Sequence, residues 1–266
     1  MGWELEQYAP LIRKIVTDGE KRETRAGDAY SLFGETLTVD LSKGFPLLTG
    51  RRMFPRPVLG ELAAMLQGPK NVADFKKHGC NYWDAWGKED GSLNLDYGNA
   101  WIDFNGVNQL EKLVHTLKTN PTDRRMLITG WRPDKLDELS LPCCHLLYQW
   151  YVRENTYLDM AWYQRSVDTM VGLPSDIVLA AAWTIILANQ CGFKPGKVTM
   201  MLGDTHVYAN HMPGVVDYLA RTEAYPGYNS PSYALDKHAT VFNFEPDMLQ
   251  IVNYDAGPVI KFELNV

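Results

Sequence analysis

The segment from Ile177 to Gln190 carries no charged side chain, is rich in Ala, Leu, Ile and Trp, and is followed closely by Gly192. Apolar composition over that length with a glycine stop reads as a helix, and a helix without a polar face must be enclosed on all sides. A membrane span needs about 20 such residues, so this shorter mid-chain run is expected as the buried helix of a globular core. Upstream, Leu147 to Val152 and Tyr157 to Tyr163 are rich in aromatic and β-branched residues, with the turn-like Arg153-Glu-Asn-Thr156 between them, which predicts a hairpin. Gly172-Leu-Pro-Ser-Asp176 breaks that pattern. Asp176 is therefore expected near the helix start, where unpaired amides favour a carboxylate.

A chain of 266 residues with nothing resembling a linker is expected to form one domain over residues 1–266. Hydrophobic residues at 45% and charged residues at 22% allow a sizeable core. A net charge of -6 gives no basis for binding a nucleic-acid polymer, so an anionic ligand must be met by a local arginine cluster. With no signal-peptide pattern at the start, the expected location is cytoplasmic, with no membrane partner. Cys80, Cys143, Cys144 and Cys191 include an adjacent pair that cannot easily bridge and match no zinc spacing, so reduced thiols and no metal are expected.

In chain order, Trp3 to Thr17 has the spacing of an amphipathic helix, Arg22 to Asp28 reads as a polar loop, and Tyr30 to Val39 alternates like a strand. A loop with a basic end, Phe45 to Arg52, precedes a helix over Pro57 to Gln67. A further helix is predicted over Val107 to Thr119 and a strand over Met126 to Trp131. Late extended segments are expected over Ala239–Phe244, Leu249–Asn253 and Ile260–Leu264. Glu61, alone among Leu59, Leu62, Ala63 and Leu66, is a solvated acid or, if it faces a pocket, a general acid or base. Asp84 lies among Tyr82, Trp83 and Trp86, a set suited to stacking on a flat heterocycle. Arg124 and Arg125 before a strand, and the arginines of the 22–25 loop, suit phosphate oxygens. Cys144-His145 is weak evidence alone, because neighbours in a strand face opposite ways. With Arg165 nearby the thiol would gain thiolate character, which points to a cysteine nucleophile acting on a flat anion.

The ordered blocks Phe45-Pro-Leu-Leu-Thr49, Tyr82-Trp-Asp-Ala-Trp86, Tyr97-Gly98, Asp123-Arg-Arg125, Cys144-His145, Tyr163-Gln-Arg-Ser-Val-Asp168, Gly172-Leu-Pro174, Gly203-Asp-Thr-His-Val-Tyr208 and Asn210-His211 resemble the thymidylate synthase family over nearly the full chain. The resemblance implies an α/β (α+β) fold with a large mixed sheet flanked by helices, and a homodimer that pairs through this sheet and shares its active sites. It also implies one-carbon transfer from 5,10-methylenetetrahydrofolate to carbon 5 of a pyrimidine nucleoside monophosphate. Carried over onto this chain, Cys144 attacks carbon 6 and Glu61 manages proton transfers through water, with Tyr97 and His145 in the same catalytic group. Arg25, Arg165 and Ser166 hold the phosphate, joined by Arg124 and Arg125 of the other subunit, while His206 and Tyr208 bind the sugar hydroxyl. Asp168 serves both ligands; Trp83, Asp84, Leu141 and Gly172 line the folate side, and the tail ending in Val266 closes over it. Thr24-Arg-Ala-Gly27 matches the family's Arg-Thr-Gly loop only with one residue deleted, so the 22–25 loop does not by itself say which arginine is used.

The departures carry the substrate. The family has Asn at the position of Asp176, where the amide donates to O4 and accepts from N3–H of uracil. A cytosine edge reverses both roles, and a carboxylate with a proton shared to N3 meets it, so Asp176 is expected to read a cytidylate. Phage deoxycytidylate hydroxymethylases of this family resemble the chain in carrying Asp there, which implies dCMP hydroxymethylation. Cys143 and Ser175, which replace the usual Pro and Phe, and Asn265 near the tail are together expected to loosen closure and admit water. Trp83, Leu141 and His145, kept as in the synthases, imply a dry site and leave methylation of dCMP or dUMP as alternatives, with CMP as an alternative substrate. A silent regulatory relative would lack Cys144 or Glu61, and a cysteine hydrolase would have no use for the paired arginines.

Overall fold

The structure is a computed structural model that describes residues 2–224 and 230–265. Glu4–Tyr8 is wound as a π-helix and runs into α1 (Ala9–Asp18), which buries Leu11, Ile12 and Ile15 along one side. β1 (Glu20–Thr24) and β2 (Gly27–Asp40) follow as an antiparallel hairpin. The expected loop at Arg22–Asp28 is thus the end of a hairpin; its residues are polar because β1 is exposed along its whole length. Next come α2 (Pro55–Leu66), α3 (Val72–Lys76), α4 (Asn99–Ile102) and α5 (Gln109–Thr119). β3 (Leu127–Thr129), β4 (His145–Arg153) and β5 (Tyr157–Asp168) lead to α6 (Gly172–Cys191) and β6 (Lys194–Tyr208), and α7 (Met212–Ala224) precedes a small hairpin of β7 (Ser232–Leu235) and β8 (Leu249–Val252).

The large sheet has six strands in the order β1-β2-β6-β5-β4-β3. Its pairs are antiparallel except β5 with β6, which run parallel because α6 forms the crossover between them. The mixed α/β architecture expected from the sequence is therefore present. The β4–β5 connection is tight: Glu154 and Asn155 both take positive φ (55° and 48°), and the Thr156 N–H closes the turn by donating to the Arg153 carbonyl at 3.1 Å.

Helix α6 is 20 residues long, enough to cross a membrane, so length does not explain its apolarity. Enclosure does: Trp183 stacks on Trp101 at 4.3 Å and meets Tyr148 and Trp150 at 5.1 and 5.0 Å. The helix starts at Gly172, so Gly172–Asp176 is its opening stretch and not a break; Gly192 at φ 81° ends it by donating to Ala188 and Asn189. β6 has no counterpart in the sequence reading because Pro195, Gly196 and Gly203 interrupt its alternation. Gly203 is required there, since a Cβ would lie 2.5 Å from the Arg165 carbonyl oxygen of the adjacent strand. Of the three late segments only Leu249–Val252 pairs; Ala239–Phe244 is mostly turns and Ile260–Leu264 runs without a strand partner.

The helices cover one face of the sheet. On the other, Met201, Tyr163, Leu147 and Thr129 stand in register across four strands, and Leu127, Leu147, Tyr151 and Met201 are exposed.

Candidate active site

The ends of β5 and β6, the start of α6, the middle of α2 and the C-terminal tail enclose a cavity of about 780 Å³. Its wall includes Cys144, Glu61, Asp176, His145 and Tyr97, and also Arg25, Arg165, Ser166, Asp168, His206, Tyr208, Trp83, Leu141 and Gly172. Residues separated by more than a hundred positions in sequence are thus gathered at one place.

Cys144 sits just before β4. Tyr97 accepts a hydrogen bond from its backbone N–H, and Arg165 braces the same turn, Nε donating to the Cys143 carbonyl at 2.8 Å and Nη2 to that of Pro142 at 3.1 Å. Arg165 Nη2 lies 3.9 Å from Cys144 Sγ. The thiol nonetheless sits above its usual range, because burial outweighs the opposing effects of Arg165 and Tyr97. The expected dominance of the arginine is corrected accordingly: Cys144 rests as a thiol near neutral pH. Cys143 is fully buried, and burial pushes it higher still. His145 is also buried, its Nδ1 2.6 Å from Tyr148 Oη, and desolvation lowers its pKa to about 3. It is a wall of the cavity that stays uncharged near neutral pH.

Two carboxyls face the cavity from different helices. Glu61 Oε1 accepts from Trp83 Nε1 at 2.8 Å, and burial, reinforced by the charge of Asp176, raises its pKa to about 8. Burial raises Asp176 to about 7 against a lowering hydrogen bond from Gln164. Trp162 Nε1 donates to Gln164 Oε1 at 3.2 Å, which leaves Gln164 Nε2 to donate to Asp176 Oδ2 at 2.7 Å. Asp176 thus lies one turn inside α6 and is held by a strand side chain, not by the free amides expected at a helix start.

The cavity wall also carries basic and hydroxyl groups. Arg25 projects from the β1–β2 turn, and Ser166 lies beside Arg165 on β5. Asp204 fixes His206: its Oδ1 lies 3.1 Å from His206 Nδ1 and accepts from Ser31 Oγ at 3.1 Å, while Arg22 donates to Oδ2 at 3.2 Å. Arg22 is therefore engaged in that network, and Arg25 is the member of the loop that reaches the cavity. Asp168 caps the β5–α6 turn by accepting from the N–H groups of Met170 and Val171, and burial raises its pKa.

Among the described residues, three expected site residues are not in this wall. Asp84 points away and pairs with Lys76 at 3.0 Å, because the 3-10 turn Tyr82–Trp86 turns Trp83 inward and Asp84 outward. Arg124 and Arg125 are exposed beside β3, and Arg125 is held by Asp123 at 2.9 Å. Val266 lies outside the described residues. The sequence reading also missed Gln164, Arg51 and Phe262. Gln164 follows Leu158, Met160 and Trp162 on the inward-facing side of β5, and an inward amide must find polar partners. Arg51 donates to the Met170 carbonyl and lies 5.0 Å from the Phe262 ring centroid, an arrangement visible only once the tail is in place.

A half-buried cysteine beside an arginine, two raised carboxyls and further basic and hydroxyl side chains share one cavity, an arrangement suited to nucleophilic chemistry on a small anionic ligand. The thymidylate synthase family profile matches residues 6–266. A thymidylate synthase from Pseudomonas fluorescens (strain SBW25) is 36% identical over 282 aligned residues, covering 98% of this chain and 100% of the relative. The chain belongs to the thymidylate synthase family, whose members transfer a one-carbon unit from methylenetetrahydrofolate to a pyrimidine nucleotide.

Proposed function

We propose that this chain transfers the one-carbon unit to carbon 5 of dCMP and releases 5-hydroxymethyl-dCMP. The observation that carries the substrate reading is Asp176, a carboxyl in the cavity wall with one oxygen committed to Gln164. Poised near pH 7, it can accept from the cytosine N4 amine while sharing a proton with N3. A buried polar mismatch costs about 1–3 kcal/mol, so this edge alone can set substrate preference.

The other residues fall into place around that edge. Arg25, Arg165 and Ser166 hold the phosphate, and Tyr208 and the Asp204-oriented His206 take the sugar hydroxyl. Cys144 sulfur adds to carbon 6 as its proton leaves through water, and the 5,6 electrons make carbon 5 the nucleophile. Glu61, positioned by Trp83, holds a proton near neutral pH and passes it through water to and from the base. Once carbon 5 carries the one-carbon unit, loss of its proton expels the folate nitrogen and leaves an exocyclic methylene on the Cys144-bound nucleotide; water adds to that carbon, the 5,6 double bond re-forms and the sulfur leaves. The folate fits the other side of the cavity, where Trp83, Leu141, Gly172 and Phe262 give flat, apolar walls; the volume lies within the usual small-molecule range of about 300–1,000 Å³. When bound, methylenetetrahydrofolate supplies the carbon at the formaldehyde oxidation level. Ser175 opens room for a water to reach the exocyclic carbon on the nucleotide, donating only a 3.3 Å hydrogen bond to the Val171 carbonyl.

Thymidylate synthesis from dUMP is the second reading. It is favoured by the 36% identical synthase and by the near-neutral Asp176, whose protonated form can donate to O4 and accept from N3–H. In either case we place the enzyme as a homodimer joined through the exposed apolar face of the sheet, which would bring Arg124 and Arg125 to the phosphate of the neighbouring subunit.

Tritium release from carbon-5-labelled dCMP and dUMP, with folate followed by absorbance and nucleotide by mass, tests the reading. Release from dCMP with tetrahydrofolate remaining and a hydroxymethyl gain is expected. Release from dUMP alone with dihydrofolate appearing would replace the first reading by the second.

A further inference from the structure

The tail from Ile260 to Asn265 closes one side of the cavity without forming a strand, so side chains must hold it. Arg51 and His211 grip its first part: His211 Nε2 lies 2.8 Å from the Glu263 carbonyl oxygen, and the His211 ring meets Phe262 edge-on at 5.2 Å. Asn265 makes the last described contacts. Its Nδ2 donates to the Ala26 carbonyl at 2.8 Å, and its Oδ1 accepts from Asn210 Nδ2 at 3.3 Å, an amide that also reaches Glu263 Oε2 at 3.3 Å.

Both partners belong to the nucleotide end of the site. Ala26 follows Arg25 in the β1–β2 turn, and Asn210 lies two residues beyond Tyr208, in the short turn after the β6 end that bears His206 and Tyr208. The amide of Asn265 thereby joins three segments: the tail, the turn that carries the phosphate arginine, and the element that carries the sugar ligands. The expectation that Asn265 loosens closure is overturned, because its side chain ties the tail down on both sides.

We infer that Asn265 is a positioning residue that couples closure of the tail to the grip on the nucleotide: a phosphate drawn in by Arg25 orders the 24–27 turn, and the ordered turn holds Asn265 through the Ala26 carbonyl. Coupling of this kind is reciprocal, so a latched tail tightens nucleotide binding even before folate arrives. It rests on the reading of the cavity as a pyrimidine nucleotide site. It does not depend on which base is preferred or which product leaves.

The test compares the unaltered enzyme with Asn265→Ala and Asn265→Asp. The second keeps the size and the acceptor for Asn210 but sets an oxygen against the Ala26 carbonyl. Binding of dCMP, dUMP and CMP is measured by calorimetry without folate, and exposure of the tail by timed carboxypeptidase digestion with and without nucleotide. In the unaltered enzyme nucleotide is expected to slow digestion. Both variants are expected to bind nucleotide about 3- to 10-fold more weakly, as loss of one or two hydrogen bonds implies, to lose that protection, and to melt at an unchanged temperature. Equal affinity and retained protection in Asn265→Ala would overturn the coupling. Failure of the unaltered enzyme to bind any of the three nucleotides would instead overturn the reading of the cavity, and the coupling with it.

Discussion

Replacing Asp176 by Asn changes one atom and inverts what the cavity wall offers a base. In the native site Gln164 Nε2 donates to Asp176 Oδ2 at 2.7 Å, and Trp162 prevents the Gln164 amide from turning over because it donates to Oε1. An asparagine must therefore present its oxygen to Gln164 and its NH2 group to the ligand. Toward cytosine that NH2 faces the N4 amine, donor against donor, with nothing left to share a proton with N3. Toward uracil it donates to O4. One or two mismatched groups at about 1–3 kcal/mol each, with 1.4 kcal/mol per decade, predict that the dCMP-to-dUMP ratio of kcat/KM falls by roughly 10- to 1,000-fold. Tritium release from the two labelled nucleotides over a substrate series measures both terms. An unchanged ratio in a folded variant would refute the base-reading role of Asp176 and the hydrogen-bond chain that orients it.

Three further outcomes follow from the same geometry. Cys144→Ser is expected to abolish turnover, whereas Cys143→Ser, whose side chain is buried away from the cavity, keeps most of it; the tritium assay separates them, and the reverse result would mean that the wrong thiol was chosen. The carboxyls of Glu61 and Asp176 hold their protons to about pH 8 and 7 when folded but lose them near pH 4 when unfolded. The folded state then binds more protons between these values, so thermal stability is expected to fall as pH rises from about 4 to 8, and Glu61→Gln or Asp176→Asn to flatten that fall by a few kcal/mol; melting curves across pH check the sign. Gly98→Ala is expected to cost about 1–3 kcal/mol or more, seen in denaturant midpoints, because Gly98 has φ 77° and a Cβ there would overlap the Met65 carbonyl of α2.

Local pattern was enough to reveal much of the scaffold. The β4–β5 hairpin shows in the alternation of aromatic and β-branched residues around Glu154-Asn155, and α6 in its unbroken apolar run and the Gly192 stop, because these depend on side-chain periodicity and backbone conformation that a few neighbouring residues decide. β6 did not show, because its glycines answer to the closeness of β5 and not to its own neighbours. In the site, Cys144, Glu61 and Arg165 were legible as residue types suited to one chemistry, and Asp176 and His206 only through the family resemblance. Their electrostatics were not: the thiol of Cys144 is raised despite Arg165, His145 is kept neutral, and Glu61 and Asp176 are poised near neutrality, since each value follows from burial by segments remote in sequence. The outward turn of Asp84 and the anchoring of Asn265 to Ala26 and Asn210 belong to the same class. Sequence alone determined which groups are present and which short segments curl or extend. Tertiary structure decided which groups meet, because desolvation and hydrogen-bond partners exist only after β2, α2, β5, α6 and the tail have closed around one cavity.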